Sequence, residues 1–336
     1  MSFMPQLRQN IATREWVIIA TERAKRPEDF AQTDKEKTKQ ELPEYSSQCP
    51  FCPGNEKNSP TEKFSIHNDK GWKVRVIPNK FPALVSEGKK EFKNEGIIRH
   101  MDGFGIHEVI IETPLHNTTI ALMENAQVEN IIKTYRNRYM SAVNDERIKL
   151  VTIFKNHGPS AGASQEHSHS QLIASPVVPA HIRSRIEDAM RYYDDNMECV
   201  FCKMIKGEIK SGERIAAQTE NFVAFIPYAA FSPFHLWLLP KKHNPCFQHI
   251  SDDEVEEFSS ILKEIFAKIY HGLNNPDYNY VIRSLPGKAR HNDFFHWYLS
   301  IVPRVTKTAG FEIGSGMYIN VALPEQSAKF LREYKL

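Results

Sequence analysis

The apolar positions of the chain form two similar series, and each series combines short strand-like runs with one long helical pattern. Apolar runs bounded by proline or charged residues predict buried strands. In each half, apolar side chains also recur every three or four residues over one longer segment, which predicts an amphipathic helix. These positions are Val128, Ile131, Ile132, Tyr135 and Tyr139 in the first half, and Val255, Phe258, Ile261, Leu262, Ile265 and Phe266 in the second.

The boundaries of the second half carry further helix signals. Ser251 and Glu254 form a capping box ahead of the second helix. The segment 180–196 is rich in charged residues and places Ile182, Ile186 and Met190 on one side, so it predicts a surface helix that joins the halves.

The two halves are copies of one unit. Each copy begins with Cys-x-x-Cys, continues to an apolar strand that ends in proline and histidine, and closes on a strand that carries another histidine. The first copy has an additional polar segment at 86–100, which we expect to be a loop insertion. The pattern predicts an α+β fold with two domains, residues 1–179 and 180–336.

Each copy contains a potential set of metal ligands. A Cys-x-x-Cys turn followed by two histidines can supply a tetrahedral Cys₂His₂ site, which favours zinc. The alternative is a pair of inert buried cysteines, but it leaves the repeated histidines unexplained. A thioredoxin-like redox pair is less favoured because neither pair opens a clear helix of a βαβ unit. We therefore predict about two structural zinc ions per chain, held by Cys49, Cys52, His116 and His167, and by Cys199, Cys202, His243 and His296.

The copies differ at the position that can carry chemistry. In the first copy, His167, His169 and Gln171 alternate along one strand and share a face. The second copy keeps its metal histidine but has Tyr298 in place of His169. Upstream of His169, the small residues of the segment 156–164 can cradle a phosphate. A neutral imidazole beside such a loop can attack phosphorus, so we predict that His169 is the nucleophile and that Gln171 assists it.

Composition narrows the choice of partners. The formal net charge is +2, with 43 basic and 41 acidic side chains, which argues against extended nucleic-acid binding. The sequence shows neither an apolar signal core at its start nor a membrane span. We therefore expect a cytoplasmic protein that acts on small phosphorylated ligands.

The motifs resemble those of the histidine-triad superfamily, and in particular its duplicated branch, the galactose-1-phosphate uridylyltransferase family. The resemblance extends over nearly the whole chain. Beyond the His-x-His-x-Gln strand, it rests on Arg23-Ala24-Lys25-Arg26-Pro27, Cys49-Pro50-Phe51-Cys52-Pro53-Gly54-Asn55 and Asn79-Lys80-Phe81-Pro82-Ala83-Leu84.

This resemblance implies a double displacement in which a nucleotide sugar gives its nucleoside monophosphate to His169, and a second phosphate then collects it. It also implies two histidine-triad-like halves whose antiparallel strands form an open half-barrel with flanking helices, usually in a homodimer. By the same match, Gln171, Ser164, Gly162 and Asn156 lie at the transferred phosphate, Arg23 and Arg26 reach the phosphates, and Asn79 and Phe81 line the nucleoside pocket.

Three departures from the family pattern bear on the substrate. Lys80 replaces an aspartate in the nucleoside pocket, the run 163–166 replaces Cys-Ser-Asn-Pro, and the run 314–316 replaces the Gly-Tyr-Glu that touches the hexose. The segment 311–316 is more similar to the branch that uses ADP-glucose and inorganic phosphate. Glutamine at position 171 favours transfer over hydrolysis, since hydrolytic relatives usually carry a third histidine there.

Three interpretations follow. The main one is a hexose-1-phosphate uridylyltransferase that takes UDP-glucose as donor. The second is an ADP-glucose phosphorylase or another adenylyltransferase that uses inorganic phosphate. The third, from another class, is a non-catalytic zinc module that binds nucleotides. The nucleobase, the sugar, the acceptor and the choice of zinc or iron at the second metal site stay open.

Overall fold

The computed structural model of the chain describes residues 4–20, 28, 30, 42–285 and 292–336. These residues combine helices with antiparallel sheet, which confirms the predicted α+β class. The α-helices of the described part are α1 (Asn125–Val143), α2 (Ala180–Asn196), α3 (Val200–Ser211), α4 (Asp252–Gly272), α5 (Gly310–Ser315) and α6 (Pro324–Glu333).

The strands of the described part are β1 (Gln6–Gln9), β2 (Trp16–Ile19), β3 (Phe64–Asn68), β4 (Gly71–Pro78), β5 (Lys93–Glu95), β6 (Ile98–His100), β7 (Ile106–Ile111), β8 (Leu150–His157), β9 (His169–Ser175), β10 (Ile215–Gln218), β11 (Phe222–Phe225), β12 (Leu236–Pro240), β13 (Tyr278–Arg283), β14 (Tyr298–Pro303) and β15 (Tyr318–Asn320). Ten of them form one sheet in the order β10-β11-β12-β14-β13-β8-β9-β7-β4-β3. All neighbours in this sheet run antiparallel. Among the described residues β10 and β3 are its edges, so the sheet is open.

The strand order displays the internal duplication directly. Each half contributes five strands, and the order from the centre outwards is β8-β9-β7-β4-β3 in one half and β13-β14-β12-β11-β10 in the other. The halves meet where β8 and β13 pair antiparallel, with His157 opposite Tyr278 and Ile153 opposite Ile282. Two copies of one unit therefore share a single continuous sheet.

The two long helices pack on this sheet, with α1 against β4, β8 and β9 and α4 against β10 and β11. The apolar residues predicted for α1 and α4 are buried in one hydrophobic core, and the two helices pack against each other. The capping box of α4 forms as expected: the Glu254 N–H donates to the Ser251 hydroxyl at 3.2 Å, and the Ser251 N–H donates to the Glu254 carboxylate at 2.8 Å. In the described part of the chain, none of the helices combines the length and apolar character needed to cross a bilayer.

Three local features differ from the sequence-based expectations. The additional polar segment 86–100 of the first copy contains a two-stranded hairpin, β5-β6. The second Cys-x-x-Cys opens a helix, with Cys199 at the N-cap position of α3, but this helix follows α2 and is not part of a βαβ unit. Near the two ends of the chain, β15 pairs parallel with β2 in a small separate sheet. The domain boundary between residues 179 and 180 stays a prediction, and α2 begins at that point.

A buried polar cluster lies behind β9. The Lys155 ammonium pairs with the Glu112 carboxylate and also donates to the Ser168 hydroxyl at 2.9 Å. Tyr135 of α1 donates to the other Glu112 oxygen at 2.8 Å, and its hydroxyl lies 2.5 Å from that of Tyr280 on β13. Burial alone raises the pKa of Glu112, but the adjacent ammonium and the hydrogen bonds hold this pKa below its ordinary value.

Removal of the ammonium should destabilise the protein strongly. In Lys155→Ala the Glu112 charge stays buried without its partner, so we expect the free energy of unfolding to fall by about 3–5 kcal/mol. Urea denaturation followed by circular dichroism measures this change. The matched control is Lys133→Ala, which removes a half-exposed lysine paired with Glu129 one helical turn away and should cost less than about 0.5 kcal/mol. Equal losses in the two variants would contradict the prediction.

Candidate active site and metal centres

The first predicted metal set comes together as a buried cluster. Cys49 and Cys52 lie in the loop before β3, His116 follows β7, and His167 immediately precedes β9. The Cys52 Sγ lies 3.6 Å from Nδ1 of both histidines, and the Cys49 Sγ lies 3.6 Å from Nδ1 of His167. Four ligand atoms from distant parts of the chain therefore face a common point.

The spacing of these atoms suits a tetrahedral ion. Zinc–sulfur and zinc–nitrogen bonds at tetrahedral angles place sulfur and nitrogen about 3.5 Å apart. The Nε2–H of His167 donates to the Thr113 carbonyl at 2.7 Å, which turns the Nδ1 lone pair towards the thiols. Burial lowers the pKa of His167 to about 4, so its imidazole is neutral, as a metal ligand must be. The residues fit a bound metal.

The second set has the same arrangement. The Cys202 Sγ lies 3.3 Å from Nδ1 of His243 and 3.6 Å from Nδ1 of His296, and Cys199 completes the cluster. His296 donates its Nε2–H to the Pro240 carbonyl at 2.8 Å, which is the contact that His167 makes in the first copy. Both Cys₂His₂ clusters can therefore bind a metal ion.

The fifth cysteine belongs to neither cluster. Cys246 is fully buried in the hydrophobic core around α3. Burial raises the pKa of its thiol to about 12, so it stays protonated and packs as a small apolar side chain.

His169 is the first residue of β9 and lies two residues after His167 of the first Cys₂His₂ cluster. Its Nδ1 donates to the His167 carbonyl at 2.8 Å, since a carbonyl can only accept. The Nε2 of the neutral ring therefore keeps its lone pair. Burial lowers the pKa of His169, which favours this neutral form. The Phe51 ring packs edge-on against the imidazole with centroids 5.6 Å apart and holds its orientation.

The predicted alternation along the strand agrees with the contacts on its two faces. His169 and Gln171 lie on the face away from the buried cluster, while the hydroxyls of Ser168 and Ser170 bond to Glu112 and Tyr135 on the other. The backbone of His169 is tied to that cluster as well, because Lys155 donates to its carbonyl at 3.1 Å.

Gln171 contacts Asn79, one of the residues predicted for the nucleoside pocket. Its Oε1 lies 2.8 Å from Nε2 of His107 and 3.4 Å from Nδ2 of Asn79. Sequence reasoning assigned no role to His107, although the second copy has a histidine, His235, at the start of the matching strand. The geometry places His107 between two predicted site residues.

The small-residue loop after β8 is anchored by the second half of the chain. Asn279 of β13 donates to the Asn156 side-chain oxygen at 2.8 Å and to the Ala161 carbonyl at 2.9 Å. Gly158 has a φ of +82°, and a Cβ there would lie 2.0 Å from an Asp277 carboxylate oxygen. Asp277 and Asn279 were missed because their partners are distant in sequence. Their contacts leave the Asn156 amide nitrogen available to a ligand.

The remaining predicted residues are less enclosed. Gly162 follows a short 3-10 turn in the left-handed conformation, and Ser164 is exposed in the same loop. Phe81 is 83% exposed, while its backbone N–H donates to the Asn79 side-chain oxygen. Arg23 and Arg26 lie outside the described residues.

Comparison with known proteins identifies the family. The model for the N-terminal domain of galactose-1-phosphate uridyl transferase matches residues 2–179, and the model for its C-terminal domain matches residues 185–333. Among curated proteins, an ADP-glucose phosphorylase of Arabidopsis thaliana is 38% identical over 99% of this chain and 93% of its own length. A galactose-1-phosphate uridylyltransferase of Thermotoga maritima is 27% identical over 98% of both chains.

Solved structures agree with these matches. The crystal structure of an Arabidopsis thaliana ADP-glucose phosphorylase with bound ADP-glucose aligns with a TM-score of 0.84 and 34% identity, over 99% of this chain and 100% of that chain. A uridylyltransferase structure aligns with a TM-score of 0.75 at 22% identity, over 98% of this chain and 97% of that chain, and shares the fold. The family predicted from the motifs is thus confirmed: this chain belongs to the galactose-1-phosphate uridylyltransferase family of nucleotidyltransferases.

Proposed function

We propose that the protein transfers a nucleoside monophosphate from a nucleotide sugar to a phosphate through a covalent intermediate on His169. The observation that carries this proposal is the hydrogen bond from its Nδ1 to the His167 carbonyl, which leaves the Nε2 lone pair free beside a loop of small residues. A neutral nitrogen held in one orientation is a competent nucleophile towards phosphorus.

The two steps are displacements at the same phosphorus. In the first, Nε2 of His169 attacks the α-phosphorus, and the bond from that phosphorus to the oxygen of the sugar phosphate breaks. The sugar phosphate leaves, and a phosphoramidate remains on His169. In the second, an oxygen of the acceptor phosphate attacks the same phosphorus, the P–N bond breaks, and the imidazole regains its lone pair.

The surrounding groups stabilise charge on the transferred phosphate. The Asn156 and Gln171 amides and the Ser164 hydroxyl can donate hydrogen bonds to phosphate oxygens without adding positive charge. By family resemblance, Arg23 and Arg26 supply the cationic contacts, and Asn79 and Phe81 line the nucleoside pocket. These roles are part of the proposal.

For the donor we favour ADP-glucose, with inorganic phosphate as acceptor and with ADP and glucose 1-phosphate as products. The 38% identity to an ADP-glucose phosphorylase along nearly the whole chain supports this choice. Local sequence supports it as well, since Gly314-Ser315-Gly316 stands where a uridylyltransferase has the tyrosine and glutamate that contact the hexose.

The second candidate is the uridylyltransferase reaction, with UDP-glucose as donor and a hexose 1-phosphate as acceptor. The family models and the uridylyltransferase of Thermotoga maritima support it. A non-catalytic zinc module is disfavoured, because binding alone does not require a histidine whose Nε2 lone pair is held free and oriented.

We further propose that both Cys₂His₂ clusters hold structural zinc. All four positions of each site are filled by protein side chains, so the ions fix the approach to β9 and β14 rather than take part in the reaction. Five free cysteines fit the reducing cytoplasm, and family resemblance supports a homodimer.

Metal analysis tests the structural sites. The purified protein should contain about two zinc ions per chain, and Cys49→Ala or Cys199→Ala should each lose about one. Inductively coupled plasma mass spectrometry gives the zinc content. Cys246→Ala is the matched control, because it removes a buried cysteine outside both clusters and should keep both ions. Protein without transition metal would exclude the proposal.

Covalent labelling tests the nucleophile. His169→Gly should reduce turnover by roughly 10⁴-fold or more, since the attacking nitrogen is lost. Intact-protein mass after incubation with donor should show one added nucleoside monophosphate, labile in acid, on the wild type. The exposed His67 provides a control, since His67→Gly should label normally. A labelled His169→Gly variant would identify another residue as the nucleophile.

A donor and acceptor matrix tests the substrate. With α-³²P-labelled donors, ADP-glucose should label the protein about tenfold or more faster than UDP-glucose, and inorganic phosphate should release the label as ADP. Rates of release by glucose 1-phosphate and galactose 1-phosphate should differ by less than about tenfold, because the groups that select the epimer are replaced. A strict requirement for UDP-glucose and galactose 1-phosphate would instead establish the second candidate.

A further inference from the structure

The imidazole of His107 connects the nucleoside loop to the phosphate-facing strand. On one side, the backbone N–H of Ala83 donates to its Nδ1 at 3.0 Å. On the other, its Nε2 lies 2.8 Å from Oε1 of Gln171. The Asn79 amide nitrogen lies 3.1 Å from the same Nε2 and 3.4 Å from the same Oε1.

These contacts determine which nitrogen of His107 carries the proton. A backbone N–H can only donate, so Nδ1 is an unprotonated acceptor. The proton of the neutral ring is therefore on Nε2, which donates to Oε1 of Gln171. Asn79 uses its own side-chain oxygen to accept from Phe81, so its amide nitrogen also faces Oε1 as a donor.

Together, the donors His107 and Asn79 fix which way the oxygen and the nitrogen of the Gln171 side-chain amide point. With Oε1 turned towards His107 and Asn79, the NH₂ group of the same amide points to the opposite side. We infer that His107 is a positioning residue for nucleotidyl transfer: it holds Gln171 so that the glutamine presents N–H donors, and not its oxygen, to the transferred phosphate. This inference rests on the proposed function.

The second copy provides an internal comparison. Gln171 pairs with Val109 across the sheet, and Ser300 pairs with Trp237, so His107 and His235 occupy equivalent positions two residues earlier. There the Trp237 indole N–H donates to Nε2 of His235 at 3.0 Å, and the Ser300 hydroxyl lies 2.9 Å from that nitrogen. An indole N–H can only donate, so Nε2 of His235 is an acceptor.

The equivalent histidines thus have opposite roles. In the half with Tyr298, the imidazole accepts through Nε2, whereas in the half with His169 it donates through Nε2 to Gln171. The histidine that donates is thus in the half that contains His169, as expected if this hydrogen bond serves the reaction. Negative charge accumulates on the phosphate oxygens during displacement, and one preorganised donor aimed at such charge typically accounts for about 10²–10³-fold in rate.

Two conservative variants separate this role from simple anchoring of the nucleoside loop. A glutamine at position 107 places its amide nitrogen near the position of the imidazole Nε2, so His107→Gln keeps the donor to Gln171. An asparagine places its oxygen near the position of Nδ1, so His107→Asn keeps only the acceptor for Ala83. Rapid-quench measurement of His169 labelling in a single turnover, over a range of ADP-glucose concentrations, gives the rate constant and the apparent affinity separately.

We expect His107→Asn to label about 10²-fold more slowly with an apparent affinity within about threefold of wild type, and His107→Gln to label within about threefold of the wild-type rate. The reverse order, with a weakened affinity in His107→Gln, would assign His107 to loop anchoring and overturn the inference. Equal rates in both variants and the wild type would overturn it as well.

A double-mutant cycle separates the loss of this contact from a general loss of folding or stability. In a Gln171→Ala background, His107→Asn should cost no further rate, because the amide that it orients is absent. Additive losses would contradict the inference. His235→Asn is the matched control for a histidine at the equivalent position, and after correction for its folded fraction it should label at the wild-type rate. Failure of the wild type to label with any nucleotide sugar would instead refute the proposed function.

Discussion

The ion pair between Glu112 and Lys155 is the constraint on which the position of β9 depends. Removing two charges from water costs several kcal/mol for each, and only close contact with each other and with further hydrogen-bonding groups offsets this cost. Glu112 directly follows β7, Lys155 lies on β8, and Ser168 directly precedes β9. Tyr135 of α1 and Tyr280 of β13 complete the cluster. These elements have to meet at one point, so the cluster sets the position of β9 relative to both halves.

On this support, β9 separates structural and chemical tasks by the alternation of its side chains. The inward face carries the serines that bond to the buried cluster, while the outward face carries His169 and Gln171. The preceding His167 links the same strand to the first Cys₂His₂ cluster. His169 therefore lies between two rigid attachments, so its imidazole is held in one orientation, as a preorganised site requires.

The sequence predicts those features that depend on neighbouring residues or on repetition. The two helices, the capping box at Ser251 and both Cys₂His₂ sets follow from periodicity or from duplicated motifs. Contacts such as Asp277 with the loop after β8, Lys155 with Glu112, and β15 with β2 join distant segments through single polar groups or short strands, and no local pattern encodes such pairings. His107 illustrates the difference: its residue type is visible in the sequence, but its proton position follows only from Ala83 and Gln171.

The pairing of β8 with β13 has a consequence for how the two copies can diverge in sequence. An interface between identical subunits repeats every substitution on both sides of its axis, so a change that suits one side is forced on the other. Here the two sides are encoded separately and held together by one chain, and their association does not depend on protein concentration. Each strand of this pairing can therefore accept substitutions independently of the other. Symmetry breaking of this kind lets one copy carry a histidine and the other a tyrosine at equivalent positions of the same sheet.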